Sequence, residues 1–215
     1  MRMADTAGAS RSNEVYEWLR VAIVTGEMRP NEPLIEADLA ERLAVSRTPI
    51  REGLQRLADG GLIVARKRGW AVREYTPQEV IENSEVRAGL EGYATRLATV
   101  RASDEQLAAI AEIHRQRLSI KAVDEKSRVA TNRNFHDTII AAASNKRLTD
   151  AIYRSGQFYF NAPLARLTTE EEMKAGNADH QRIVDAMLGR DPAAAENAMR
   201  DHILRTFTIF QRFNR

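Results

Sequence analysis

Two groups of residues in this chain have types and spacings that can do chemistry. The first is cationic. Arg47 and Arg51 are four apart in Ser46-Arg47-Thr48-Pro49-Ile50-Arg51, so on a helix they leave from the same side. A guanidinium suits a phosphate, or the O6 and N7 atoms of guanine through two parallel bonds. Ser46 and Thr48 can hydrogen-bond phosphates at the N-terminus of such a helix, where the backbone dipole also favours an anion. Arg66-Lys67-Arg68-Gly69 adds a second basic cluster nearby. The second group is built on histidine. Asn132 and His136 are four apart, so their side chains face the same way on a helix and can share one metal ion. His180 and His202 sit, like His136, beside apolar stripe residues: Ile183 and Val184, Ile203 and Leu204, Ile139 and Ile140. Three histidines converging inside a bundle need hydrogen-bond partners or a metal, and spacing alone leaves both open. His114, between Ile113 and Arg115, has no ligand-type residue one turn away and reads as a surface or boundary residue.

The elements that must position the cationic group are short. Asn13 to Thr25 has Val15, Trp18, Leu19, Ala22 and Ile23 on one helical stripe, with Gly26 to end it. Glu27 to Pro33 holds two prolines and reads as a loop or short extended segment. A second helix spans about Ile35 to Leu43. After a turn at Ala44 and Val45 a third begins near Arg47, capped by Ser46 or Thr48, with Pro49 in its first turn. Ile50, Leu54 and Leu57 form its buried stripe. Leu62 to Ala65 and Trp70 to Val72 then make a β-hairpin with the basic cluster at its tip and Gly69 in its turn. Helix, helix, tight turn, helix and basic hairpin outline a winged helix-turn-helix, whose third helix enters the major groove.

The rest is helical. Thr76 and Pro77 open a helix to about Val100. Ser103 and Gln106 form a capping box for one to about Lys121. Further helices are expected at about 125–144, 146–161, 170–188 and 192–213. The fold class is thus mainly α, with a winged unit over residues 1–75 and an all-α six-helix bundle over residues 76–215. The terminal TFTIFQRF is aromatic-rich and is expected to pack or to sit at a subunit interface.

Composition agrees and excludes several classes. Of 215 residues 43% are hydrophobic, 29% charged and 6% aromatic, with no cysteine. Disulfides, thiolate nucleophiles and cysteine-rich zinc sites are excluded, which fits a reducing cytoplasm. No apolar run approaches the ~20 residues of a membrane span, and the opening MRMADTAGASRS has no signal-peptide core. The net charge of +2 is uninformative, but its distribution is not: residues 1–41 carry −4 and residues 42–73 carry +6. A positive block of this kind attracts phosphate.

Leu34 to Ile63, LIEADLAERLAVSRTPIREGLQRLADGGLI, resembles the winged-helix signature of the GntR family of bacterial transcription regulators, most specifically in Val45 to Leu57. The resemblance implies that Ser46, Arg47 and Arg51 contact DNA, and that Gly69 is the wing-tip glycine. Thr48, Lys67 and Arg68 complete the expected interface. In some relatives an arginine near the start of the second helix also binds DNA; Glu36, Ala37 and Asp38 stand there in this chain. Residues 76–215 are similar to the FCD effector domain of the FadR subfamily, through Glu85–Ala98, Asn132–Ile139 and Asp179–Ile203, and six helices suggest its shorter, VanR-like branch. That likeness implies a divalent metal on Asn132, His136, His180 and His202, with Arg87 in the effector pocket. Asn132 stands where many relatives have aspartate, and its neutral amide is the weaker ligand. Zinc is the expected ion on imidazole preference, with nickel or manganese as alternatives. From the residues alone Arg87 reads equally as a surface arginine paired with Glu91 at i+4.

The expected function is a sequence-specific, homodimeric transcription regulator, a repressor. It reads a double-stranded operator, and a small organic acid bound near the metal controls it. The competing reading is a metal-dependent hydrolase on the bundle, since three histidines can hold a catalytic zinc. It lacks an HExxH motif, a phosphate loop and a nucleophile elbow, and leaves the basic block unexplained. A third reading is an architectural DNA-binding protein with a vestigial pocket.

Overall fold

A computed structural model of the chain describes residues 6–24, 26–121, 123–155 and 162–211. It contains two compact units, Met1–Tyr75 and Thr76–Arg215.

The first unit holds three helices, α1 (Thr6–Val24), α2 (Glu36–Arg42) and α3 (Arg47–Asp59), and three short strands, β1 (Pro33–Leu34), β2 (Ile63–Ala65) and β3 (Trp70–Val72). The helix α1 starts seven residues earlier than the Asn13 expected from its apolar stripe. Val15, Leu19 and Ala22 of α1 are buried with Ile50, Leu54 and Leu57 of α3, so the two long stripes form the core of this unit. Between α2 and α3 the backbone turns at Ala44, whose φ is 52°, and Val45 N–H donates to the Ala40 carbonyl at 3.1 Å. This short turn starts α3 at Ser46, whose extended backbone is that of an N-cap.

The proline-rich segment is a loop that ends in a two-residue strand. β1 pairs antiparallel with β3, Pro33 opposite Ala71 and Leu34 opposite Trp70, so the sheet order is β1-β3-β2. β2 pairs with β3 through Ile63 and Val72, Val64 and Ala71, Ala65 and Trp70. Arg66 N–H donates to the Gly69 carbonyl at 3.0 Å to close the hairpin. Gly69 has φ 86°, and a Cβ there would lie 3.2 Å from the Leu34 carbonyl oxygen, so both backbone shape and the neighbouring strand require glycine.

The second unit is helix on helix: α4 (Pro77–Arg101), α5 (Asp104–Leu118), α6 (Glu125–Ala142), α7 (Lys146–Arg154), α8 (Ala162–Leu167), α9 (Glu170–Leu188) and α10 (Pro192–Gln211). Six of these are the expected helices and α8 is an additional short one. Residues 156–161, assigned above to the end of the 146–161 helix, lie outside the described residues. So do residues 212–215 and the side chains of Phe207 and Phe210 in the aromatic tail.

Local chemistry fixes the helix starts. Thr76 with Glu79, Ser103 with Gln106, and Thr169 with Glu172 form capping boxes, and Asp124 and Asn145 cap α6 and α7. Each cap satisfies backbone donors that a helix start leaves open, worth ~1 kcal/mol apiece. Phe135, Ile139, Ile140, Ile183 and Met187 occupy the core. α10 lies along α4 so closely that a Cβ on Gly92 would meet the Arg200 side chain at 2.6 Å and the Glu196 carbonyl at 3.3 Å. This close approach brings the His202 helix to the Arg87 and Glu91 helix.

Candidate functional site

The winged unit presents its cations unequally. Of the eight basic residues between 42 and 73, four are engaged by the unit itself. Arg42 reaches Glu27 at 3.1 Å and lies 4.8 Å over the Trp18 ring. Arg56 stacks 3.9 Å over Tyr16 and donates to Asn13. Arg66 donates to Asn31 at 3.0 Å, and Arg73 lies 4.8 Å over Tyr75. These side chains bind the chain's own polar groups and rings. Arg47, Lys67 and Arg68 are exposed and make no ion pair among the described residues. They stand at the N-terminus of α3 and at the tip of the wing. Ser46 and Thr48 are also exposed, and the Ser46 hydroxyl makes no capping bond.

Arg51 is the intermediate case. Its Nη2 donates to Glu36 Oε2 at 2.9 Å and its Nε to Oε1 at 3.2 Å, a two-bond fork across α3 and α2. The hydrogen bond from Arg51 holds the Glu36 carboxyl below the usual carboxylate range, and nearby Arg47 lowers it further. The side chain is still 70% exposed. Spacing placed Arg51 beside Arg47, but it could not show that Glu36, from the preceding helix, would meet it.

In the helical unit one end of the core is polar. The buried stripe of α4 runs Ser84, Arg87, Ala88, Glu91, Thr95; that of α5 runs Leu107, Ile110, His114, Arg117; that of α6 runs Arg128, Asn132, Phe135, His136, Ile139. Asp179 and His180 on α9 and His202 on α10 are buried as well. One ring nitrogen from each of His136, His180 and His202 lies within 4.8 Å of the others. His180 Nε2 and His202 Nε2 face each other at 3.1 Å. His136 Nδ1 is 2.7 Å from Glu91 Oε2, which leaves its Nε2 buried without a hydrogen-bond partner. Phe135 stacks on His180 at 4.2 Å between centroids. Asn132, one turn before His136, lines the same cavity as His136, His202 and Arg87.

Two carboxylates support this cluster. Glu91 binds His136 on one oxygen and Arg87 on the other. Burial pushes the Glu91 carboxyl up, but Arg87 and His136 outweigh it and hold it at about 2. Asp179 takes Arg182 at 2.5 Å, Arg205, and more loosely His202 Nδ1 at 3.4 Å. Burial lowers the pKa of His180 and His202 well below the ordinary value, and neighbouring cationic groups lower both further. Both imidazoles are therefore neutral at pH 7, as a metal ligand must be. A carboxylate on the far nitrogen of His136 and of His202 is the arrangement that orients imidazole toward a metal. With Asn132 the residues offer three nitrogens and an amide oxygen, a set that suits zinc or nickel.

Arg87 pairs with Glu91, as its i+4 spacing allowed, but inside the bundle and not on its surface. His114 corrects the sequence reading outright. It is buried, its Nε2 is 3.1 Å from Gln181 Oε1, and its ring is 6.0 Å from that of His180. The buried stripe of α5 passes through Leu107, Ile110, His114 and Arg117, so a histidine without a ligand-type neighbour one turn away still faces the core. Glu91 and Asp179 were missed as supporting residues. The available signal was their position in otherwise small or apolar stripes, where a charge demands a partner.

Residues 82–205 match the family described as FCD domain, and residues 11–72 match the one described as bacterial regulatory proteins, gntR family. The HTH-type transcriptional repressor GlaR of Escherichia coli is 28% identical over 206 residues, covering 91% of this chain and 94% of that protein. The HTH-type transcriptional regulator Mce2R of Mycobacterium tuberculosis is 29% identical over 224 residues, covering 94% and 92%. Among solved structures, McbR/YncC of E. coli superposes with a TM-score of 0.78 at 20% identity over 95% of this chain and 99% of that one, a likeness of fold.

Proposed function

The chain belongs to the GntR family of DNA-binding transcription regulators, in the group with an FCD domain, and from that premise we propose that it is an operator-binding repressor released by a small organic acid. Regulation and not catalysis is the work of this family, so the hydrolase alternative falls away. No described helix is long and apolar enough to cross a membrane.

The observation that carries the DNA half is the set of exposed cations without carboxylate partners among the described residues, Arg47, Lys67 and Arg68, at the two places where a winged helix meets a duplex. Arg47, at the start of α3, meets base edges or the adjoining phosphate, with Ser46 and Thr48 beside it. Lys67 and Arg68 lie along the backbone from the wing, where Gly69 lets the turn stay tight. Arg51 joins them on the same face, aimed by Glu36. Phosphate contacts of this kind supply affinity and register, and contacts to base edges supply specificity.

The sensing half rests on the histidine cluster. Neutral buried imidazoles, an orphaned His136 Nε2 and carboxylates behind two rings fit a divalent ion, zinc first, on Asn132, His136, His180 and His202. Such an ion supplies a Lewis-acidic anchor for a carboxylate. Arg87 lines the same cavity, and Glu91 fixes its Nε. The acid must bind the DNA-competent and DNA-incompetent states unequally to act as an effector. We take the working form to be a homodimer on a two-fold operator. Val86, Tyr93 and Val100, exposed and seven residues apart on α4, support a helix face that a second copy covers.

The test is a gel shift on DNA from the gene's own upstream region, with light scattering on the same sample. Specific binding by a species of twice the chain's mass, released by a small carboxylate, is expected. Absence of specific binding at every salt concentration overturns the reading.

A further inference from the structure

The cavity beside the histidines is walled by four arginines, Arg87, Arg117, Arg128 and Arg205. Arg87 has Glu91 and Arg205 has Asp179. Arg117 has no carboxylate partner among the described residues. Its Nε donates to the Asn177 side chain at 2.9 Å, and its Nη1 points to the Arg128 backbone carbonyl at 3.5 Å. Yet it is only 8% exposed, and Arg128 beside it only 4%. Burial, and repulsion from Arg128, hold the Arg117 guanidinium down at about 10. Arg128 donates from Nη1 to the Ala165 carbonyl at 2.9 Å, so α8 closes over it. The remaining acid in the wall, Glu172, accepts the Thr169 N–H and hydroxyl at the cap of α9.

A buried guanidinium without a counter-charge is strongly destabilising unless something anionic joins it. The other buried residues of its stripe on α5, Leu107, Ile110 and His114, carry no negative charge. Arg117 lines the same cavity as Arg87, Asn132, His136 and His202. The cavity is thus lined by guanidinium groups from separate helices, Arg87 of α4 held by Glu91, and Arg117 of α5 beside Arg128 of α6.

Resting on the reading that this cavity senses an organic acid, we propose that the ligand is a small dianion, two carboxylates on a short chain, with one on Arg87 and the histidine cluster and the other on Arg117. A monocarboxylate leaves one buried cation uncompensated. Recognition is then a matter of the spacing between the two acid groups, and Arg117 is the residue that sets it.

Matched acids decide the matter in titration calorimetry of the full-length protein with zinc: butyrate against succinate, and valerate against glutarate. At least one dianion is expected to bind about tenfold or more tightly than its matched monoanion, the worth of a charge-assisted hydrogen bond to a buried group. In Arg117→Gln, which keeps an amide donor for Asn177, that ratio is expected to collapse toward one while monocarboxylate binding persists. Equal affinities within both pairs for the wild-type protein overturn the dianion proposal and leave acid sensing intact. If none of the four acids binds, with or without zinc, the sensing reading itself fails. The wild-type comparison decides even if the variant does not fold.

Discussion

The two units handle charge in opposite ways. In the winged unit the residues that matter most are outside, and the informative feature is which cations are left alone: Arg47, Lys67 and Arg68 have no ion pair among the described residues, whereas Arg42, Arg56, Arg66 and Arg73 are held by neighbours. In the bundle the residues that matter are inside, and the informative feature is who compensates whom: Glu91 for His136 and Arg87, Asp179 for Arg182, Arg205 and His202. The reason is solvation. Water stabilises an exposed guanidinium, so leaving it unpaired costs little. A buried charge has no water and must find a partner in the fold or in a ligand. An unpaired cation outside is therefore cheap and available to a partner, whereas one inside calls for an anion in its cavity.

The sharpest break in this contrast is Glu91→Ala. Removing one member of a buried ion network is expected to cost ~3–5 kcal/mol of stability, because Arg87 and His136 are left together without their carboxylate. Chemical denaturation measures it. A midpoint like that of the wild type would remove the buried half of the comparison.

Arg47→Ala is the outside counterpart. It is expected to weaken specific operator binding by ~1–3 kcal/mol in titrated gel shifts. The thermal midpoint should stay near that of the wild type, since exposed substitutions change stability by about 0.5 kcal/mol or less. Substantial destabilisation would mean that Arg47 serves the fold.

Acid separates the units by a different route. All four histidines are in the bundle. The folded pKa of His180 and His202 is depressed below the ordinary 6.5, chiefly by burial. Below that pH the unfolded chain binds more protons than the folded one, so stability present above pH 6.5 is lost as pH falls, by up to about 1.4 kcal/mol per pH unit for each imidazole. Metal-free protein melted between pH 8 and pH 5 should show this loss in the bundle. Glu91, held near 2 against an ordinary 4.5, adds a further loss only below about pH 4.5. A flat profile from pH 8 to 5 would show these imidazoles to be solvated.

The smallest effect is expected at Glu36→Gln. Freeing Arg51 from its fork should leave thermal stability almost unchanged. It should steepen the salt dependence of DNA binding, with log K against log salt gaining a slope of about −0.9 if the released guanidinium takes one more phosphate. An unchanged slope would place Arg51 on a base edge or away from DNA.

Much of this was legible because it is local. The turn at Ala44 and Val45, the start of α3 at Ser46, the hairpin with Gly69 and the Ser103–Gln106 capping box each depend on residues a few positions apart. The Asn132 and His136 spacing made a shared site conceivable, but convergence with His180 and His202 required α9 and α10 to pack against α6. His114 was misplaced for the same reason. A helix has several candidate inward faces when its residues are of mixed polarity, and the neighbouring helices choose among them.

From its order of residues alone the chain determined a winged helix-turn-helix followed by helices, and a positive face at Arg47, Arg51, Lys67 and Arg68. Backbone propensity, capping and short-range periodicity act within a few residues, so sequence carries them directly. Tertiary packing alone decided that Glu36 holds Arg51, that Glu91 stands behind His136, and that Arg117 is buried beside the histidines without a carboxylate partner among the described residues. Those facts join residues up to 85 positions apart, Arg117 and His202 among them, only through the contact of whole helices. Burial, which sets the cost of every charge, exists only once those helices have met.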